Sequence, residues 1–213
     1  WGRAIYRNIQ RFLFFQLVVN VTALLLVLAG SCIGTELPLT VTQILWINLI
    51  MDTFAAMALA SLPSSADVMS QKPRRPGTPI ITAPLWRTII TTGLVFFAVS
   101  FSYLYWLEHN AGDSSVDTHE LTKFFTVFVM MQWWNLFNAK ALGSRRSAFN
   151  GLRYDRGLLL VLSLVLVGQW AIVTFGGRMF RTEPLTPYEW ATVITITSPV
   201  LWIGELLRKL LMK

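Results

Sequence analysis

One carboxylate, Asp52, stands in the middle of an otherwise uncharged run of membrane length, from Val41 to Ala60. An acidic side chain is costly at membrane depth, so Asp52 is a candidate functional residue. If the run is helical, Asn48 lies one turn before Asp52 on the same face, and the two side chains offer oxygens to a cation. The alternative is that Asp52 is protonated or pairs with a basic residue on a neighbouring helix. The other uncharged runs contain no Lys or Arg at membrane depth that would serve as this partner.

Two further stripes of amides occur in apolar runs. Gln16 and Asn20 are four residues apart in the first run, and Gln132, Asn135 and Asn138 follow one another at a spacing of three. Each stripe lies near one helix face. Taken singly, an amide in a membrane is better explained as an interhelical hydrogen bond worth about 0.6 to 2 kcal/mol. Stripes that converge in a bundle, however, are how an intramembrane site is built. The remaining spans are interpreted as scaffold.

The candidate ligands are all oxygen donors: Asn20, Asn48, Asp52 and Gln132. Ca²⁺ takes six to eight oxygens at about 2.3–2.6 Å, and Mn²⁺ accepts similar ligands. The two histidines are expected in the outer loop between the third and fourth spans, so zinc and copper are not favoured. One carboxylate is too little for a divalent ion at low dielectric. We therefore expect a second acid from a helix outside this chain.

Composition indicates a polytopic membrane protein, because 54% of the 213 residues are hydrophobic and the mean hydropathy is +0.53. A hydrocarbon core of about 30 Å needs about 20 apolar residues in a helix. Six runs meet or approach that length: Phe12–Thr35, Leu39–Ala60, Thr88–Leu107, Phe124–Ala139, Gly157–Gly177 and Tyr188–Leu207. Their continuous hydrophobicity excludes the alternation of a barrel. The predicted fold class is all-α, a polytopic membrane bundle of six transmembrane helices.

The basic residues predict the orientation of these spans. All of them except Lys123, Arg178 and Arg181 fall in the N-terminal segment, the 61–87 loop, the 140–156 loop or the C-terminal segment. By the positive-inside rule this side is cytoplasmic, so both termini are expected in the cytoplasm. The net charge of +7 then lies beside anionic membrane lipid, and no nucleic-acid partner is indicated.

Two stretches resemble the first two helices of the carboxy-terminal membrane half of P-type calcium-transporting ATPases, plasma-membrane type. They are GRAIYRNIQRFLFFQLVVNVTAL and LPLTVTQILWINLIMDTFAAMALA, and the likeness continues through MQWWNLFNAK and PYEW…GELLRK. The resemblance covers essentially the whole chain. Its specific part is NLIMD with the preceding Trp46.

The resemblance implies site residues by position. Asn48 and Asp52 stand where the family has cation ligands on its sixth helix, and Asn20 stands at an amide ligand on the fifth. Ala23 and Gln132 occupy positions where two-calcium, reticulum-type pumps have glutamates. These two departures predict a single calcium site, with Gln132 as a neutral ligand.

The resemblance also implies a division of the chain. Residues 1–11 would be the cytoplasmic stalk end of the first helix, 12–60 the cation-site helices, 61–87 a cytoplasmic loop, and 88–213 the supporting helices, the family's seventh to tenth. The Asp-Lys-Thr-Gly loop and the nucleotide domain are not in this sequence. The expected partners are membrane lipid and the N-terminal part of a pump, with the first four helices and the actuator, phosphorylation and nucleotide domains. ATP and Mg²⁺ would act only there, with Ca²⁺ as the transported ion, and this chain alone would not hydrolyse ATP.

Two function classes remain open at this point. The first is a segment of an ATP-driven calcium pump; the absence of an initiator Met favours such a fragment. The second is a stand-alone channel, secondary transporter or scaffold derived from a truncated pump. Internal repeats would favour a secondary transporter, and none is evident. We expect a multi-pass protein of a cell membrane, and the short loops without a long basic tail suggest a bacterial inner membrane.

Overall fold

A computed structural model describes residues 2–33, 39–63, 77, 79–111, 116–144 and 147–211, and all regular structure within these ranges is helical. The elements are α1 Gly2–Ile33, α2 Val41–Leu49, a π-helical segment Ile50–Ala55 (the π-segment), α3 Ala56–Ala60, α4 Ala83–Ala111, α5 Thr118–Ala141, a 3₁₀ turn Leu152–Tyr154, α6 Arg156–Phe175, α7 Gly177–Phe180, α8 Pro187–Thr197 and α9 Pro199–Leu211. The predicted all-α class is confirmed for the described residues.

Helix α1 runs unbroken for 32 residues. At 1.5 Å per residue it is about 48 Å long, which exceeds a hydrocarbon core. Its first turns are fastened to neighbouring chain: the amide of Asn8 donates to the carbonyl of Leu62 (3.0 Å), and the amide of Gln10 donates to that of Ile80 (2.8 Å). The N-terminal end of α1 is therefore tied to the segments that follow α3 and precede α4.

The run from Val41 to Ala60 is not one uniform α-helix. Thr40 caps α2 through a capping box with Gln43, which fixes where the helix begins. From Ile50 the backbone takes the wider π turn for six residues and then returns to α-helix in α3. The predicted helical span is therefore present, with a change of winding inside it.

Helix α4 begins at Ala83, five residues ahead of the apolar run expected from Thr88. Pro84 fits there because the first turn of a helix needs no N–H donor. The 61–87 loop is correspondingly shorter, and its residues 64–76 and 78 lie outside the described residues. His109 is in the last turn of α4 and His119 in the first turn of α5, so both histidines belong to helix ends.

Helix α5 forms the centre of the bundle. It is buried around most of its circumference and packs against α1, α4, α6, α8 and α9. Two indole N–H groups attach it to its neighbours: Trp133 donates to the Leu162 carbonyl of α6 (3.0 Å), and Trp134 to the Thr197 hydroxyl of α8 (3.1 Å). A helix covered by protein on all sides can carry amides that lipid would not satisfy.

The last predicted span, Tyr188–Leu207, is divided into α8 and α9 at Ser198. Pro199 has no N–H to continue the helical ladder, so the break falls beside it. Helix α8 begins with a Thr186–Glu189 capping box and Pro187 in its first turn.

Four described helices are long and apolar enough to cross a membrane: Gly2–Cys32, Val41–Ala60, Ala83–Ala111 and Arg156–Phe175. Helix α5 and the α8–α9 pair are not among them. With 24 residues α5 is long enough at about 36 Å, but its amides, threonines and charged ends lower its hydropathy. The six-span count and the cytoplasmic termini therefore stay predictions.

Candidate cation site

A small, mostly apolar cavity lies between α1, α2, α5 and α6, and Gln132 is the one amide side chain among its lining residues. The cavity is lined by Phe15, Ile47, Ile50, Val129, Gln132, Trp133, Leu136 and Val165. Gln132 is only 4% exposed, and neither its amide oxygen nor its amide nitrogen has a hydrogen-bond partner among the described residues. An unsatisfied buried amide costs about 1–3 kcal/mol, so binding a ligand or a water at this side chain would offset that cost.

Asn48 lies on α2 between two residues that line this cavity, Ile47 and Ile50. Its side chain is half-buried and does not itself line the cavity. Gln132 and the helix that carries Asn48 therefore both border this cavity, although the Asn48 side chain does not line it.

Asn20 is placed differently, because it is exposed on the surface of α1. No side-chain hydrogen bond joins Asn20, Asn48 and Gln132 within the described ranges. Apolar side chains flank Asn20 on the same exposed surface, among them Leu24 and Leu28. Within this chain Asn20 does not reach the cavity.

Asp52 lies in the π-segment, and its side chain is outside the described part of the structure. The backbone alone bears on its position. An α-helix turns about 100° per residue, and a π turn, with its i→i+5 bonds, turns less. In a uniform α-helix, four residues rotate by more than one full turn. Because the last steps from residue 48 to residue 52 lie in the π-segment, the total rotation between them is closer to one full turn. The backbone positions of Asn48 and Asp52 are therefore better aligned along the helix. Single π turns are frequent at functional sites.

The three amides of the α5 stripe, Gln132, Asn135 and Asn138, have different surroundings. Asn138 donates to the Val200 carbonyl of α9 (2.9 Å), which supports an interhelical role for that amide. Asn135 is fully buried, and neither of its amide atoms has a partner in the described residues. Only Gln132 of the three lines the cavity.

Ala23, the position where two-calcium pumps carry a glutamate, is half-buried and packs against the hydrophobic core. It offers no side-chain oxygen. The described residues also contain no group of three or more His, Cys, Asp and Glu side chains able to hold a metal ion. A cation site in this region would therefore depend on amide oxygens, backbone and the Asp52 position.

Sequence reasoning missed the buried amide Gln169, because the run that contains it was interpreted as scaffold. Gln169 is fully buried on α6 and accepts a hydrogen bond from the indole N–H of Trp46 (2.9 Å). An isolated glutamine beside Gly168 in an otherwise apolar run was the signal that could have identified it.

The described helices form an all-α bundle with membrane-length apolar helices and a small, mostly apolar cavity that Gln132 helps to line. The family described as "Cation transporting ATPase, C-terminus" matches residues 36–210, which is most of the chain. The chain belongs to this family.

Three relatives make the likeness more specific. Plasma membrane calcium-transporting ATPase 2 of Oreochromis mossambicus is 34% identical over 214 residues, covering 97% of this chain and 19% of its own length. Plasma membrane calcium-transporting ATPase 3 of Homo sapiens is 36% identical over 199 residues, covering 89% of this chain and 16% of its own length. A putative calcium-transporting ATPase 13, plasma membrane-type, of Arabidopsis thaliana is 34% identical over 206 residues, covering 95% of this chain and 20% of its own length.

The chain thus spans about a fifth of the length of the relatives it matches. The resemblance to plasma-membrane-type calcium ATPases is confirmed. All three relatives come from eukaryotes, so they do not support the bacterial origin expected from the short loops.

Proposed function

We propose that this chain is the carboxy-terminal membrane segment of an ATP-driven calcium pump and supplies part of its intramembrane Ca²⁺ site. The proposed ligands are Asn48, Asp52, Asn20 and Gln132. One observation carries the proposal: Gln132 is a buried amide with no hydrogen-bond partner among the described residues, in a cavity bounded by the helix of Asn48 and by the start of the π-segment. Family membership and the calcium-transporting relatives support Ca²⁺ as the cargo.

The exposed Asn20 supports a further protein partner against α1. Lipid cannot satisfy an amide at membrane depth, so a surface that combines Asn20 with Leu24 and Leu28 suits burial against other helices. We assign that surface to the first four helices of the pump, one of which would supply the second carboxylate. ATP and Mg²⁺ would bind in the phosphorylation and nucleotide domains of the same N-terminal part.

Ca²⁺ entering this site would exchange water for six to eight protein and water oxygens. In the proposed site Asp52 supplies charge, while the neutral amides Asn48, Asn20 and Gln132 supply oxygens without further charge. Helix α1 would serve as the link to the cytoplasmic domains, because it continues unbroken from its N-terminal turns to Asn20. A movement of its cytoplasmic end would then change the ligand arrangement.

The proposed topology has six spans, with α5 and the α8–α9 pair as the fourth and sixth, and both termini in the cytoplasm. The burial of α5 among five other helices supports a transmembrane position for it despite its polar side chains. A stand-alone channel or transporter is not favoured, because the relatives that match are calcium-transporting ATPases about five times as long.

The test is Asp52→Asn in the full-length protein. We expect Ca²⁺-dependent phosphorylation from ATP to be abolished, because the substitution removes the charged ligand and keeps the side-chain shape. Asp117→Asn is the matched control, since Asp117 precedes α5 and its side chain caps no helix. If Asp52→Asn keeps wild-type calcium dependence, Asp52 is not a ligand. Running the same assay with Mn²⁺ tests the identity of the ion.

A further inference from the structure

We propose that Trp46 is a positioning residue, held by Gly168 and Gln169 of α6, that sets the rotation and height of α2 just before the π-segment. This inference rests on the proposed function, because it assigns the pair a role in presenting Asn48 and Asp52 to the ion. Under this proposal α6 contributes none of the proposed ligands, but its contact with Trp46 fixes the position of α2.

The contact between Trp46 and α6 has two parts. The indole Nε1–H donates to Oε1 of Gln169 at 2.9 Å. The six-membered part of the ring lies directly on Gly168: a Cβ at that position would be 2.5 Å from Cη2 of the indole and 2.8 Å from Cζ2. A side chain at residue 168 would therefore displace the ring, so glycine is what allows the ring to approach α6.

The polarity of Gln169 is not explained by packing alone. Its side chain is fully buried, and its Nε2 has no partner within the described residues. Burying an amide costs free energy that an apolar side chain of similar volume, such as Met, would avoid. The hydrogen bond from Trp46 offsets part of this cost. We therefore infer that the role of Gln169 is to hold the indole in place.

Other contacts attach the two ends of the α2–α3 span to α6 and α7. Near the start of α2 the amide of Gln43 donates to the Phe180 carbonyl, and the Thr42 hydroxyl to that of Met179, both at 2.8 Å. After α3, Ser61 lies so close to Gly157 that a Cβ there would be 2.7 Å from the Ser61 hydroxyl oxygen.

Of these attachments, Trp46 is nearest in sequence to the proposed ligands. It comes two residues before Asn48 and four before the first residue of the π-segment. The next residue, Ile47, already lines the cavity with Gln132. Because the wider π turn leaves the ladder of α-helical bonds, the position of the segment depends on what fixes the helix immediately before it.

The test uses the full-length protein and two substitutions that each remove one side of the hydrogen bond. Trp46→Phe keeps an aromatic ring but removes the donor, and Gln169→Met removes the acceptor at nearly constant volume. We expect the Ca²⁺ concentration for half-maximal phosphorylation to rise about threefold to tenfold, because a smaller fraction of the protein holds the competent arrangement. The maximal phosphorylation level should be unchanged.

Two further variants separate positioning from general damage. Gln169→Glu keeps an acceptor oxygen and should stay close to the wild-type calcium affinity. The double variant Trp46→Phe/Gln169→Met should have a calcium affinity no lower than that of the more impaired single variant, because both changes remove the same hydrogen bond. Trp170→Phe is the matched control, since that neighbouring tryptophan is half-exposed and should leave calcium affinity unchanged.

The outcomes are distinct. Wild-type calcium affinity in both Trp46→Phe and Gln169→Met would overturn the inference and leave the proposed function intact. Additive losses in the double variant, or an equal loss in Trp170→Phe, would also overturn it. A wild-type protein without Ca²⁺-dependent phosphorylation would overturn the proposed function, and the inference with it. If Gln169→Met does not accumulate, Trp46→Phe and its comparison with Trp170→Phe decide the matter.

Discussion

A buried ion pair between Lys140 and Asp155 offers a stability test that can be worked out from the geometry. Nζ of Lys140 lies 2.7 Å from Oδ2 of Asp155 and 3.0 Å from the carbonyl oxygen of Asn150, to which it donates. The two side chains are only 10% and 6% exposed. The pair therefore connects the C-terminal end of α5 to the residue just before α6, through the least exposed charges in the described ion pairs.

Asp155→Asn removes the negative charge but keeps the shape. The Asp155 side chain does not cap α6, and its backbone carbonyl accepts from Leu159 in either case (3.0 Å), so the expected loss comes from the ion pair. Removing one partner of a buried pair costs about 3–5 kcal/mol, because the other charge is left uncompensated. At about 2–4 °C per kcal/mol for a domain of this size, Tm should fall by about 6 to 20 °C.

The assay is thermal unfolding of the purified protein in detergent, followed by tryptophan fluorescence. Lys140→Met should be similarly damaging, whereas Lys140→Met/Asp155→Leu should recover most of the loss, because replacing both charges removes the buried unpaired ion. The matched control is Glu120→Gln, which breaks the more exposed Lys123–Glu120 pair and should cost less than about 1 kcal/mol. If Asp155→Asn lowers Tm no more than Glu120→Gln does, the reasoning about burial is refuted.

Three further outcomes are expected. Thr186→Ala should destabilise the protein by about 1 kcal/mol in the same melting assay, because it removes the capping box of α8; an unchanged Tm would contradict this. In a Cys32→Ser background, which removes the native exposed thiol, a cysteine in place of the exposed Ser147 should react with membrane-impermeant thiol reagents only from the inside, because residue 147 lies in the predicted cytoplasmic 140–156 loop. Labelling from outside the cell would overturn the six-span topology. The full-length protein should bind one ⁴⁵Ca²⁺ per phosphorylation site, because Ala23 supplies no side-chain oxygen and Gln132 supplies no charge to a second site. Without that charge, two divalent ions would repel each other by several kcal/mol even at an effective dielectric of about 20. A measured value near two would refute the single-site prediction.

Most of the helical architecture follows from local sequence. Apolar runs of membrane length predict the helices, and the absence of proline from residues 2–33 allows α1 to run unbroken. The start of α2 was within reach of the sequence as well, since Thr40 and Gln43 are spaced as a capping box. These are properties of neighbouring residues, and they do not depend on how the helices pack.

Part of the candidate site was also accessible from sequence. The four-residue spacing of Asn48 and Asp52 within an uncharged run marks the proposed cation helix, and the family match to residues 36–210 agrees with the resemblance carried by the NLIMD stretch. The sequence could not tell which amides serve a site and which serve packing. Asn20, Gln132 and Asn138 satisfy the same periodicity argument, yet one is exposed, one lines a cavity and one bonds to Val200 of α9.

What only the tertiary structure decided is how distant residues meet. The bond between Trp46 and Gln169 joins residues 123 apart in sequence, and no local pattern predicts such a partner. The central position of α5 is likewise a result of packing, since its apolar run predicts a helix but does not predict that five other helices surround it. The physical reason is the same in each case. Periodicity determines which residues share a helix face, but the neighbour that covers the face is set by the packing of the whole bundle.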